Sequence, residues 1–192
     1  ISPRARPGRM DRDTTRRRRE HVRIVGQFRA AETDILIGTQ MVAKGFDFPG
    51  VTLVGVISAD TALNLPDFRA AERTFQLLTQ VSGRSGRGER PGEVIIQTYR
   101  PDHYSIQAAA HQDYAAFYQQ EMQARSELGY PPFSHLVNVV VSAEKAGEAE
   151  KRAQRIAEAI RRLVADHQVQ VLGPAPAALP KLRGEHRWHL LA

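Results

Sequence analysis

The sequence predicts an α/β protein, a parallel sheet with loops at its carboxyl edge followed by a small α+β domain of split-βαβ type. Three observations carry that prediction. Short apolar runs alternate with helical patterns over the first hundred residues. A clear break, Gly129-Tyr130-Pro131-Pro132, ends a helical stretch. Beyond it a strand, a long helix and two more strands follow in order.

Taken along the chain, Gly8–Arg12 reads as a short strand. Thr14 or Thr15 is placed to cap a helix to about Ala30, with Val22, Val25 and Phe28 on one apolar face. Asp34–Gly38 reads as a buried strand through Ile35, Leu36 and Ile37, and Val51–Ala59 as another. Asp67 caps a helix to about Val81, and Glu93–Tyr99 is the fourth strand, after the Pro91-Gly92 turn. Units this short imply parallel pairing, with ligands at the carboxyl ends of the strands.

The second half begins with a helical stretch from His103 to Leu128, broken near His111. A strand at His135–Ser142 leads to a helix at Gly147–Asp166, with Ala153, Ile156, Ala157, Ile160 and Leu163 on one side. Val169–Leu172 is a strand, a Pro/Ala-rich loop follows, and a last strand opens at His186. The domain boundary is expected within 100–131.

With 42% hydrophobic and 25% charged residues in 192, the chain has the balance of a soluble protein with a real core. It contains no cysteine, which excludes disulfides, thiolate zinc sites and thiol catalysis within these residues and suits a reducing compartment. No apolar run reaches the roughly 20 residues of a membrane span, and no secretory signal opens the chain. It starts at Ile1 and stops at Ala192 inside a predicted strand, so it is expected to be a fragment.

The net charge of +6 is concentrated at one end. Residues 1–29 hold ten arginines against three acids, and the rest holds 17 bases and 18 acids. The Arg16–Arg19 run suits phosphate, because a guanidinium forks onto its oxygens, and equally suits a solvated terminal segment.

Two loops carry the chemistry. The first is Gly38-Thr39-Gln40-Met41-Val42-Ala43-Lys44-Gly45-Phe46-Asp47. Gly38 and Lys44 have the separation of a phosphate-binding P-loop, but that motif needs a glycine where Ala43 stands and a hydroxyl where Gly45 stands. The second is Gln80-Val81-Ser82-Gly83-Arg84-Ser85-Gly86-Arg87-Gly88. Its two arginines, three apart and each after a glycine, supply bidentate, permanently charged donors to one point, as charge on a transferred phosphoryl group requires. A solvated glycine-rich turn is the plain alternative. The GxxG loop of a KH module joins two helices, whereas this one precedes a strand.

Together these loops resemble motifs V and VI of superfamily 2 helicases. Met10-Asp11-Arg12-Asp13-Thr14-Thr15, Pro66-Asp67-Phe68-Arg69-Ala70-Ala71-Glu72-Arg73 and Gly129-Tyr130-Pro131-Pro132-Phe133 narrow the match, with Val171-Leu172-Gly173-Pro174-Ala175-Pro176, Lys181-Leu182-Arg183-Gly184 and Arg187-Trp188. The ordered series is similar to the primosomal protein N′ (PriA) family of replication-restart helicases over nearly the whole chain. The resemblance implies a RecA-like second helicase lobe over 1–100, with helices on both faces of its sheet. It further implies a helical connector over 101–130 and a truncated α+β C-terminal domain over 131–192. The implied activity is ATP-dependent, 3′-to-5′ unwinding of DNA at stalled or repaired forks, followed by primosome assembly.

Carried over residue by residue, Arg84 and Arg87 match the motif VI arginines that face the phosphates across the inter-lobe cleft, and Gln80 opens that motif. Asp47 is the motif V acid near the ATP ribose, with Gly45 allowing the approach. Thr39, Gln40 and Lys44 match the positions where motif V touches the tracked strand. The implied cofactors are ATP and Mg2+, completed by a first lobe whose motifs are not in these residues. The family's zinc is expected in the full-length protein and not in this chain. Implied partners are forked and single-stranded DNA, single-strand-binding protein, other primosomal proteins and the replicative helicase loader, in a bacterial cytoplasm close to the nucleoid.

Two rival readings stand beside this one. One is a non-catalytic nucleic-acid-binding or primosome-interaction module, in which the arginine turn grips backbone phosphate and never meets ATP. The other is a superfamily 2 helicase of another repair process, against which the Gly173-Pro174-Ala175-Pro176 and Arg187-Trp188 features argue. No metal site is expected: the seven histidines are scattered, and Asp11 and Asp13 lie beside Arg9 and Arg12, which favour an ion pair or cap. Trp188 reads as core, and the mixed charges of Glu148–Arg162 as a solvated helix face.

Overall fold

A computed structural model describes residues 5–10, 18–39, 48, 50–83, 92–165 and 169–192. The chain divides into two units, Ile1–Gln120 and Glu121–Ala192.

In the first unit, β1 (Pro7–Met10) and β2 (Ile35–Gly38) pair in parallel, Pro7 against Ile35 through Met10 against Gly38. Between them runs α1 (Arg18–Arg29). Its buried residues are Ile24 and Val25, which join Met10 in a cluster that Leu36 and Phe48 close. The apolar face therefore differs from the predicted one, because Val22 points to solvent while Ile24 faces the strands. Neighbouring positions on a helix are about 100° apart, so adding Ile24 to Val25 and Phe28 turns the face away from Val22. Thr14, Thr15, Asp11 and Asp13 lie outside the described residues, as do the side chains of Arg16–Arg19.

The second parallel pair is β3 (Leu53–Val56) with β4 (Glu93–Ile96). Between them come α2 (Asp60–Leu63) and α3 (Ala70–Ser82). Beyond β4 follow α4 (Tyr104–His111) and α5 (Tyr114–Glu127). Ala59, Leu63, Phe75, Leu78, Ile106, Ala109 and Phe117 form one core, with Val56 and Ile96 packed against it. The Phe75 and Phe117 rings stack at 4.2 Å. The opposite faces are more open: Ile37, Leu53 and Ile95 are all exposed, so the strand expected to be buried over Ile35–Ile37 is only half covered.

Asp67, predicted as the cap, lies two residues before the cap position. Arg69 occupies the N-cap of α3, and Asp67 receives the Arg69 backbone N–H at 2.9 Å while pairing with Arg73 at 2.7 Å. The break near His111 falls at Gln112, whose φ of 54° is left-handed. His103 caps α4, its Nδ1 accepting the Ser105 N–H at 3.3 Å.

The second unit is a three-stranded antiparallel sheet in the order β5-β7-β6. Its strands are β5 (Asn138–Ala143), β6 (Leu172–Leu182) and β7 (Glu185–Leu191). Because β7 is antiparallel to both neighbours, β5 and β6 run parallel to each other with α6 (Ala146–Leu163) crossing between, which is the split βαβ arrangement. The helix meets the sheet through Ala149, Ala153 and Ala157, each 0% exposed, opposite a sheet that buries Val141, Ala143, Ala177 and Leu190. The predicted face included Ile156 and Leu163, which are exposed. One-carbon side chains let the helix lie close to the strands, and the larger residues fall to the flanks.

The predicted Pro/Ala-rich loop is instead the body of β6. Proline cannot donate to a ladder, but β6 is an edge strand, and its register slips between Leu172 and Ala175 and between Pro176 and Lys181. A two-residue turn joins β6 to β7, with positive φ at both Arg183 (52°) and Gly184 (90°). Trp188 is half-buried, opposite Val141 and Pro176.

Candidate nucleotide and nucleic-acid site

The first chemical loop leaves the carboxyl end of β2, the edge at which parallel sheets receive ligands. Thr39 follows Gly38 there and is exposed. Gln40, Lys44, Gly45 and Asp47 lie outside the described residues. The far end of the segment is held by Phe48, whose ring meets Phe28 edge-on at 4.8 Å within the Met10 cluster. The Arg29 guanidinium lies 6.0 Å from the Phe48 ring centroid, and the Phe48 carbonyl accepts the Val51 N–H at 3.1 Å.

The second loop leaves the carboxyl end of α3. Phe75 and Leu78 anchor that helix in the core, and Thr74, also buried, donates its hydroxyl to the Ala70 carbonyl at 2.8 Å. Gln80 is exposed on the last turn. Gly83 ends the helix with ordinary backbone angles, its N–H donating to Thr79 O at 3.1 Å. The unpaired carbonyls of a helix end favour cations, and Arg84 is the next residue in sequence. Arg84 and Arg87 themselves lie outside the described residues. Of the eight residues singled out for chemistry, Thr39 and Gln80 are thus seen in place, both solvent-facing.

Asp60 was not singled out from the sequence. It is buried at the start of α2, beyond the carboxyl end of β3. Its Oδ1 accepts the Thr98 hydroxyl at 3.0 Å and its Oδ2 the Tyr99 N–H at 3.1 Å, both from the segment leaving β4. Burial pushes the Asp60 pKa up, but the Tyr99 and Thr98 donors and the charge of Arg100 outweigh it, and the carboxyl stays below its ordinary range. The available signal was the acid directly after the apolar run Val51–Ala59. Asp34, at the start of β2, is paired instead with Arg6 on the surface at 2.9 Å. The Arg6 side-chain and backbone donors bring its pKa down to about 2.

Among the described residues no three His, Asp or Glu side chains gather as a metal site would need, and no helix is long and apolar enough to cross a membrane.

Comparison with known proteins adds two family matches. Residues 5–89 match the helicase conserved C-terminal domain, and residues 126–192 match the primosomal protein N C-terminal domain. The chain is 51% identical over 188 residues to the replication restart protein PriA of Bacillus subtilis, covering 98% of this chain and 23% of that protein. It is 48% identical over 183 residues to the protein of that name in Synechocystis, covering 95% and 22%. The Treponema pallidum protein is 45% identical over 183 residues, covering 93% and 27%. The chain thus spans about a quarter of the length of the relatives it matches.

Proposed function

The chain belongs to the PriA family of replication restart proteins, and on that premise we propose that it forms the second RecA-like lobe and C-terminal domain of an ATP-dependent 3′-to-5′ DNA helicase. The carrying observation is the order of the two matched domains in one chain, at about half identity to the matching quarter of replication restart proteins. In this reading residues 1–100 are the lobe, 101–130 a connector and 131–192 the C-terminal domain.

The donor set suits a nucleoside triphosphate. Arg84 and Arg87 offer guanidinium forks to phosphoryl oxygens, Asp47 offers a carboxylate to ribose hydroxyls, and Gly45 leaves room beside it. Gln80 orients from the last turn of the helix that leads into the arginines. ATP with Mg2+ supplies the phosphoryl-transfer chemistry, on a cradle contributed by a first lobe. Arg84 and Arg87 then neutralise charge that develops on the transferred group, where a fixed donor is worth most. Thr39, Gln40 and Lys44 hold the tracked strand by its phosphates, since a motor on arbitrary sequence cannot read base edges.

The partners of this reading are forked and single-stranded DNA, single-strand-binding protein, other primosomal proteins and the replicative helicase loader. Its setting is the bacterial cytoplasm near the nucleoid. Zinc belongs to the full-length protein and not to these residues, which lack cysteine. The test is DNA-stimulated ATP hydrolysis and strand separation by the full-length protein on a model fork. Both activities are expected, and DNA binding without hydrolysis would instead support the non-catalytic module.

A further inference from the structure

The two parallel strands β3 and β4 leave their shared carboxyl edge in an unusual state. Past Val56 stands Ile57, 80% exposed, and past Ile96 stands Tyr99, 90% exposed. Neither contributes much to the fold, because little of either leaves water.

The backbone beneath them is fixed. Gln97 N–H donates to Val56 O at 2.9 Å and Ala59 N–H to Gln97 O at 3.1 Å, extending the strand pairing past its end. The buried Asp60 carboxylate then takes the Thr98 hydroxyl and the Tyr99 N–H. The Thr98 oxygen in turn accepts the Arg100 N–H at 3.0 Å, and Arg100 O accepts the His103 N–H at 3.1 Å. The main chain from Gln97 to His103 is therefore pinned to β3 and to the start of α4, while the Tyr99 ring stands in solvent. A ring on an already ordered backbone binds with less entropy to lose.

The surroundings narrow what it binds. Arg100, exposed, brings a permanent positive charge next to the ring in sequence. The Ser58 and Thr61 hydroxyls lie 3.0 Å apart at the same edge. An exposed aromatic face on an ordered backbone, with an exposed cation next to it in sequence, suits an unpaired base and the phosphate attached to it. Every base has such a face, so the contact tolerates any sequence. We infer that Tyr99 is a stacking platform for one unpaired base of single-stranded DNA. The inference rests on the helicase reading above, and adds a base contact to the phosphate contacts proposed at Thr39.

The test uses the full-length protein and two oligonucleotides of equal length, oligothymidine and an abasic strand with the same phosphates, followed by fluorescence anisotropy. Tyr99→Ala is expected to weaken oligothymidine binding about tenfold and to leave abasic binding unchanged. Tyr99→Phe, which keeps the ring, is expected to bind both strands as the parent does. Loss of equal size on both strands, or no loss on either, would overturn the stacking assignment and leave the helicase reading intact. If the parent protein itself binds no single strand, the helicase reading falls and this inference with it. Thermal unfolding of Tyr99→Ala at the parent's temperature establishes that the fold is unchanged.

Discussion

Glu121 and Arg125, one turn apart on α5, form an ion pair at 2.7 Å whose side chains are only 7% and 14% exposed. Arg125 also donates to the Pro131 carbonyl at 3.2 Å, so the pair ties the end of the helix to the turn before β5. Charges this far from water contribute through mutual satisfaction, and removing one takes from the other its charged partner. Glu121→Gln should lower unfolding stability by on the order of 3 kcal/mol. The double change Glu121→Leu with Arg125→Met should lose less than that, as denaturant titration of the two variants would reveal.

For the paired motif arginines, Arg87→Ala or Arg84→Ala in the full-length protein should cut ATP turnover by about 10³-fold or more while DNA affinity stays close to the parent's. Lysine at either position should restore little, because an ammonium cannot fork onto two oxygens. The 192-residue chain alone should hydrolyse no ATP above a mutant control. Normal turnover with lost DNA affinity in the Ala variants would favour backbone gripping instead.

Thr39 is exposed at the end of β2, so Thr39→Ala should leave the fold untouched. Hydrolysis should persist while unwinding falls, measured on one fork substrate. Equal loss of both would place Thr39 in nucleotide handling.

Acid should destabilise the first unit through two carboxylates. Asp34 titrates at about 2, below its ordinary 3.8, and the Asp60 pKa is also lowered. A group whose folded pKa is depressed stabilises the fold above its unfolded value and loses that contribution as pH falls through the folded one. The melting temperature should therefore drop between about pH 4 and pH 2, and Asp34→Asn should flatten part of that drop. A pH-independent melt over this range would remove the assignment.

What was legible in the sequence was local. The break at Gln112 and the Gly129–Pro132 stop announce themselves in short-range chemistry, and so does the strand–helix alternation. The motif residues were legible as spacing, since Gly83-Arg84 and Gly86-Arg87 need no tertiary context to be noticed. What failed depended on partners far along the chain. β6 looked like a loop because its prolines are tolerated only at a sheet edge, a fact that belongs to β7. Val22 reads as buried from spacing alone, and the position of the strands selects Ile24 instead. Asp60 bonds to residues 38 and 39 positions away, a distance over which spacing says nothing.

Phe48 has a mechanical consequence. The segment 40–47 departs from a strand end at Thr39 and returns to a ring clamped against Phe28 and Arg29. Tension applied anywhere along that segment is delivered at one end to β2 and at the other to α1, two members of a single buried cluster. Leu36 of β2 and Phe48 both pack against the cluster of Met10, Ile24 and Val25, so the two ends of that segment share one anchorage.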